Sequence, residues 1–163
     1  MPENLTGPAD NPQNLLEQCF KAIASAEMCR LPFYQAQVPV LACGFQRFEQ
    51  QWVGALLTPW MLSLLVLPGP GQIWPQRAVG SRLALALPCG NVGFIVGEVS
   101  GCGQYLASSL LSPLPAGIEG DAAQRLAQQC ARMALSLPIL DVDAPANPAR
   151  RSLFRSHGTP FHA

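Results

Sequence analysis

The side chains that most often carry chemistry in proteins are scarce in this chain, and their spacing does not match a known site. No two of the six cysteines lie within five residues of each other, so the chain lacks CxxC pairs and zinc-finger spacing. We therefore expect small buried hydrophobic residues or free thiols, with no bound metal and no cofactor. The cysteines are Cys19, Cys29, Cys43, Cys89, Cys102 and Cys130.

The other catalytic residue types are also poorly placed for an enzyme. The only histidines, His157 and His162, fall in a loose C-terminal segment, so a serine or cysteine nucleophile has no fixed base. The only lysine, Lys21, lies within a predicted helix that no glycine-rich phosphate loop precedes. A carboxylate pair would need distant acids such as Glu49 and Glu98. The sequence therefore predicts a protein that is not an enzyme.

The charge balance excludes one class of partner. The chain has 163 residues, which is one domain's length, and its formal net charge is zero with only 12 % charged residues. Without a basic excess, we do not expect a nucleic-acid partner.

The centre of the chain is almost free of charge. Residues 50–76 carry none, and only Arg77, Arg82 and Glu98 are charged across residues 50–118. A membrane span would need roughly 20 continuous apolar residues, but Pro59 and Pro68 interrupt this run. The N-terminus is acidic and has no apolar signal region, so we expect a cytoplasmic protein with no membrane span.

The apolar pattern predicts an α+β fold in which an antiparallel sheet of about six strands packs against N- and C-terminal helices. Residues 1–11 are expected to be flexible, 12–138 to form a single domain, and 139–163 to form a flexible tail. In the second helix, apolar positions spaced by three and four predict the buried face. Those positions are Ala122, Leu126, Cys130, Met133 and Leu137. The predicted helices span 12–28 and 121–137, and the predicted strands span 38–48, 52–58, 61–67, 82–87, 92–99 and 104–111.

The borders of the uncharged run carry the candidate binding residues. Glu98 is either a solvated acid at a strand end, a partner of Arg77 or Arg82, or an anchor for a cationic group on a partner. Trp60 and Trp74 are either core and loop residues or binding anchors. We expect the central strand to be buried and the segments 58–60 and 68–75 to reach a surface.

Three separated blocks resemble one protein family. LPFYQAQVPVLACGF, GALLTPWMLSLLVLPGPGQIWP and FIVGEVSGCGQYLASSLLSPL resemble the HybE family of nickel–iron hydrogenase assembly chaperones. The similarity extends from about Leu15 to Leu137 and continues more weakly into the tail. Relatives with a fused rubredoxin carry paired CxxC motifs, which are absent here, so the resemblance implies no iron centre.

The resemblance implies a non-catalytic cytoplasmic chaperone for an uptake hydrogenase, with a fold similar to type III secretion chaperones. It would bind the twin-arginine signal peptide of the small subunit and contact the large-subunit precursor before export. The alternative is a structural adaptor that bridges hydrogenase subunits without binding the signal peptide. A receptor for paired arginines and an apolar stretch needs an acid beside an apolar groove. Glu98 is one such acid, and Glu49, Glu119 and Asp121 are others.

The tail suggests a second hypothesis. Residues 150–155 (RRSLFR) are similar to the twin-arginine motif itself, with leucine and phenylalanine exchanged. They are either a solvated basic segment or a pseudo-substrate that occupies the peptide groove until the true signal displaces it.

Overall fold

The computed structural model describes residues 10–136, and the predicted α+β class with a six-stranded antiparallel sheet and two helices is confirmed. The first strand begins later than predicted, because Pro39 lacks the N–H that a ladder needs. The elements are α1 (Gln13–Ala26), a 3-10 turn (Met28–Arg30), β1 (Leu41–Phe48), β2 (Gln51–Thr58), β3 (Met61–Pro68), β4 (Arg82–Leu87), β5 (Gly90–Val99), β6 (Gly103–Leu111) and α2 (Gly120–Ala134).

Several predictions fall outside the described residues. They concern most of the flexible N-terminus (1–11), the flexible tail (139–163), Leu137 in the helical stripe, and the pseudo-substrate motif at 150–155. The division of the chain into these segments and one domain stays a prediction. The likeness to type III secretion chaperones also stays a prediction.

The strand order in the sheet is β1-β2-β3-β6-β5-β4, and every neighbouring pair is antiparallel. Short turns join β1 to β2 and β4 to β5 as hairpins. Glu49 and Gln50 connect β1 to β2 with positive φ angles of 47° and 74°, as a tight two-residue turn requires. Pro88 and Cys89 connect β4 to β5.

The two helices cover opposite faces of the sheet. Leu16, Phe20 and Ala24 of α1 pack in one cluster with Leu56 of β2, and α2 packs in another with Leu57. Because successive residues of a strand point to opposite faces, these two clusters lie on either side of the sheet. We call the two sides the α1 face and the α2 face.

The uncharged run includes β2 and β3, which lie in the half of the sheet that has a helix on each face. Apart from Met61, every residue from 52 to 67 is buried, because β2 and β3 are covered on both faces. A strand buried on both faces has no position for a charged side chain, which explains the sequence pattern. Neither helix among residues 10–136 has the length and hydropathy that a membrane crossing requires.

The buried face of α2 is not the predicted stripe. Its buried residues are Ala123, Ala127, Ala131 and Ala134, whereas Met133 is 54 % exposed. Small side chains allow the helix to lie close to the sheet. At Gly44, which has a φ of 68°, an added Cβ would stand 2.4 Å from Ala131 Cβ. This close approach therefore selects alanines rather than the larger apolar residues for the interface.

The half of the sheet formed by β4, β5 and β6 is covered differently. On its α2 face, Phe94, Val96 and Leu106 are buried in a third cluster. On its α1 face, Ala84, Ala86 and Gly93 are exposed, and Ile95 is 46 % exposed. We call this α1-face surface the open face.

Candidate functional site

Three connections meet at one end of the sheet, which we call the loop end. Gln51 pairs with Pro68, and Val99 pairs with Gly103. The β1–β2 turn, the β3–β4 connection (69–81) and the β5–β6 turn therefore lie at the same end. The β2–β3 and β4–β5 turns lie at the opposite end, which we call the far end. Glu49, Trp74 and Glu98 are at the loop end, and Trp60 is at the far end.

Glu98 lies on the α2 face, two residues beyond the buried Val96. Its side chain is exposed and accepts a hydrogen bond from Gln76 Nε2 at 3.4 Å. The cross-strand neighbour of Glu98 is Gln104. The Gln104 amide bonds both backbone groups of Arg77, accepting from N–H at 3.1 Å and donating to C=O at 2.6 Å. These bonds fix the 69–81 connection beside Glu98.

Trp74 belongs to the same connection and packs against the third cluster while remaining partly exposed. Two apolar side chains nearby in sequence are more exposed, with Ile73 at 69 % and Val79 at 62 %. The loop end therefore combines the Glu98 carboxylate of β5 with apolar side chains of the 69–81 connection. Ile73 and Val79 were not predicted as site residues. Their only sequence signal is their position in a proline- and glycine-rich loop.

Glu49 is exposed at the tip of the β1–β2 turn, next to the same connection. An added Cβ at Gly69 would stand 1.7 Å from the Gln50 carbonyl oxygen, so the two loops touch through backbone. The Gln72 side chain joins them further, donating to Gln51 Oε1 at 2.9 Å and accepting from Gly69 N–H at 3.1 Å. This packing requires glycine at position 69.

Trp60 is a core residue in this structure, contrary to the expectation that segment 58–60 reaches a surface. It is 6 % exposed, and its ring stacks on Tyr34 with 6.2 Å between centroids and 22° between planes. The Pro59 carbonyl accepts a hydrogen bond from Gln35 N–H at 2.8 Å. The chain before β1 therefore folds over this turn. Glu119 and Asp121 lie at the start of α2, away from the loop end.

Burial raises the pKa of four thiols, those of Cys43, Cys89, Cys102 and Cys130. Burial, together with the hydrogen bond to Cys19, raises the pKa of Cys102 to about 12, and the two sulfur atoms are 2.8 Å apart. Burial raises the pKa of Cys43 to about 11, with Cys130 adding to the effect. A thiol with a raised pKa is a poor nucleophile at neutral pH. Residues 10–136 contain no group of three or more His, Cys, Asp or Glu side chains suited to a metal ion.

Comparison with known proteins gives consistent matches along the chain. A model of the family described as "NiFe-hydrogenase assembly, chaperone, HybE" matches residues 11–156. The "Hydrogenase-2 operon protein HybE" of Escherichia coli (strain K12) is 42 % identical over 154 residues, covering 94 % of this chain and 95 % of the relative. The "Hydrogenase expression/formation protein HupJ" of Bradyrhizobium diazoefficiens is 30 % identical over 131 residues, covering 76 % of each.

A solved structure extends this agreement to the fold. The solution structure of HybE from Escherichia coli superposes with a TM-score of 0.69 at 42 % sequence identity, covering 90 % of each chain.

Proposed function

The chain belongs to the HybE family of NiFe-hydrogenase assembly chaperones, and from this premise we propose that it binds the twin-arginine signal peptide of a hydrogenase small subunit. In the same proposal it contacts the large-subunit precursor and acts in the cytoplasm before export. Membership of a family of assembly chaperones indicates a non-catalytic protein. Its task is to hold a partner rather than to transform a substrate.

The observation that carries the proposal is the pairing of charge and apolar surface at the loop end. A twin-arginine leader presents two arginines followed by an apolar stretch. Glu98 offers an exposed carboxylate, and Ile73, Trp74 and Val79 offer apolar area from the adjacent connection. Charged hydrogen bonds between guanidinium and carboxylate give direction to apolar binding.

The loop end carries further charges of both signs, among them Arg47 beside Gly69. Glu49 adds a second exposed acid, whereas Arg77 brings a positive charge next to the Gln76 that bonds Glu98. Because acidic and basic side chains interact oppositely with an arginine pair, their substitution should change its binding in opposite directions. Removal of the Glu98 charge weakens binding of an arginine pair, and removal of the Arg77 charge strengthens it.

Titration of a labelled signal peptide tests the proposal. We expect Glu98→Gln to weaken binding about tenfold, since one charge-assisted contact is worth roughly 1.5 kcal/mol. Arg77→Gln should strengthen it. Glu119→Gln is the matched control, because it removes an exposed acid at the far end.

A peptide with both arginines replaced by glutamine sharpens the test. It should bind weakly and lose its sensitivity to Glu98→Gln. Unchanged binding of the natural peptide by Glu98→Gln would remove Glu98 from the site. Pull-downs with a small subunit with and without its leader then separate signal-peptide binding from the adaptor alternative.

A further inference from the structure

The two edge strands of the sheet differ in how their outer backbone groups are satisfied. At β1, Glu17 Oε2 accepts from Ala42 N–H at 3.0 Å, and Gln13 Oε1 accepts from Phe45 N–H at 3.2 Å. Asn11 Nδ2 donates to the Phe45 carbonyl at 3.3 Å. At β4, no residue from 10 to 136 makes a hydrogen bond to the outer edge. A free edge of this kind is a template for another strand.

The ladder between β4 and β5 identifies which backbone N–H and C=O groups of β4 point away from β5. Val96 N–H donates to the Ser81 carbonyl at 2.9 Å, and the Val96 carbonyl accepts from Gly80 N–H at 2.8 Å, so the Ser81 carbonyl points towards β5 just before β4 begins. Hydrogen-bonded and non-hydrogen-bonded pairs alternate along an antiparallel ladder. Arg82, Ala84 and Ala86 therefore direct their N–H and C=O groups outward.

The side chains of β4 specify what an added strand should carry. On the α2 face, Leu83 and Leu85 are only partly buried at the border of the third cluster. On the α1 face, Arg82 is exposed and is the one charged residue of the strand. A matching strand alternates apolar residues for the α2 face with polar ones for the α1 face, and has an acid opposite Arg82.

The described chain ends beside this edge. Cys89 N–H, in the β4–β5 turn, donates to the carbonyl of Ala134 at 3.4 Å. The end of α2 is thus next to the Leu87 end of β4. Another 27 residues, 137–163, follow Ser136. A segment that leaves this point and follows β4 runs antiparallel to it.

We propose that residues 139–143 of this chain dock on the outer edge of β4 as a seventh, antiparallel strand. Their sequence is Ile-Leu-Asp-Val-Asp, bounded by Pro138 and Pro145. The last four residues have the required alternation, and Ile139 places an apolar side chain on the α1 face beside Ala86. Leu140 and Val142 meet Leu85 and Leu83 on the α2 face, and Asp143 faces Arg82 on the α1 face. The outward groups of Ala84 and Ala86 then pair with Asp141 and Ile139.

Charge and tethering favour this occupant over a second copy of the chain. Twofold pairing of two β4 strands about Ala84 would bring Arg82 opposite Ala86, with no acid to meet it. A shift of the tail by one residue would turn both aspartates onto the apolar α2 face. The tether also gives the segment an effective concentration on the order of millimolar.

Amide hydrogen exchange on the full chain tests the proposal. We expect the outward amides of Ala84 and Ala86 to exchange at least about tenfold more slowly than in the variant Asp141→Pro, which cannot donate to the edge. The inward amides of Leu83 and Leu85 should be protected in both. Ala149→Pro, which lies beyond the proposed strand, is the matched control and should leave all four amides unchanged.

A charge exchange tests the register. Arg82→Glu should lower the protection of Ala84 and Ala86, and adding Asp143→Arg should restore it. Rapid exchange of Ala84 and Ala86 in the unsubstituted chain would overturn the proposal. Protection that survives Asp141→Pro and rises with protein concentration would overturn it too, and would assign the edge to a second copy.

Discussion

The half of the sheet containing β1, β2 and β3 and the half containing β4, β5 and β6 are built from similarly apolar sequences but are covered differently. The first half has a helix on each face, so β2 and β3 are buried almost along their whole length, and only its edge strand β1 carries exposed residues. In the second half the α1 face is covered only at β6, where Tyr105 and Ala107 pack against the α1 cluster, and β4 and β5 expose alanines and Ile95 on that face. The hydrophobic pattern alone therefore does not distinguish scaffold from available surface. The positions of the two helices make that distinction.

The largest expected effect compares one apolar side chain from each half. Leu65 in β3 is 0 % exposed, and Ile95 in β5 is 46 % exposed. We expect Leu65→Ala to lower the free energy of unfolding by about 2–5 kcal/mol, because it leaves a cavity between packed layers. Ile95→Ala should cost less than about 1 kcal/mol. Denaturant unfolding measures both, and similar losses would contradict the contrast between the halves.

Glycines give the second comparison. Gly44→Ala places a Cβ against Ala131 at a φ of 68°, whereas a Cβ at Gly93 meets nothing within 4 Å. We expect Gly44→Ala to destabilise the protein by about 2 kcal/mol, since helix α2 must move away from β1. Gly93→Ala should be nearly neutral. Thermal unfolding of the pair tests how closely α2 approaches the covered half.

A truncation tests whether the tail competes for the loop end. If residues 150–155 act as a pseudo-substrate, deletion of residues 145–163 should strengthen signal-peptide binding. A millimolar effective concentration acting on a segment with a dissociation constant near 0.1 mM predicts a change of about tenfold. The deletion keeps residues 139–143, so the proposed seventh strand is retained. Equal or weaker binding would reject the pseudo-substrate hypothesis.

Thiol chemistry gives the smallest expected effect. Cys29 is exposed, whereas Cys43 is 8 % exposed in the covered half. Iodoacetamide should therefore label Cys29 well before Cys43 in the folded protein. The pKa of Cys43 is raised from 9.0 to about 11, so the unfolded chain loses this proton at a lower pH than the folded one.

The same shift predicts how stability depends on pH. The contribution of Cys43 to stability is complete below about pH 9 and is lost as the pH rises towards about 11. Cys43→Ala should reduce the slope of the unfolding free energy over that interval. An unchanged slope would show that the thiol is ionised equally easily in both states.

The local sequence pattern predicts most of the helices and strands, but it predicts little about which residues form the candidate binding site. The strands and hairpins follow from apolar runs separated by proline, glycine and the Glu49-Gln50 turn. The buried face of α2 lies one residue further along the helix than predicted, and Leu126 and Cys130 of the predicted stripe only border the α2-face cluster. The offset was missed because alanine carries little hydrophobic signal and its burial depends on close approach to Gly44. That approach is a tertiary property, so periodicity within the helix does not reveal it.

The site residues depend on contacts between distant parts of the chain. Trp60 is buried because Tyr34 packs on it, and the turn sequence around Pro59 carries no sign of that cover. Trp74 and Glu98 come to one end of the sheet because β5 and β6 insert between β3 and β4. A hairpin pattern predicts neighbouring strands but not this order. Glu49, Trp74 and Glu98 accordingly remain predicted binding residues.

The side-chain bonds that Glu17, Gln13 and Asn11 make along β1 have a consequence for self-association. A sheet with two open edges can add copies at both sides and grow into a fibre, whereas a sheet with one blocked edge can join at most one other strand assembly. Edge-to-edge growth therefore stops at a pair at most, and a strand docked on β4 would leave no edge open. The side chains bound to the β1 edge thus keep this chain from extending into a fibre through strand pairing.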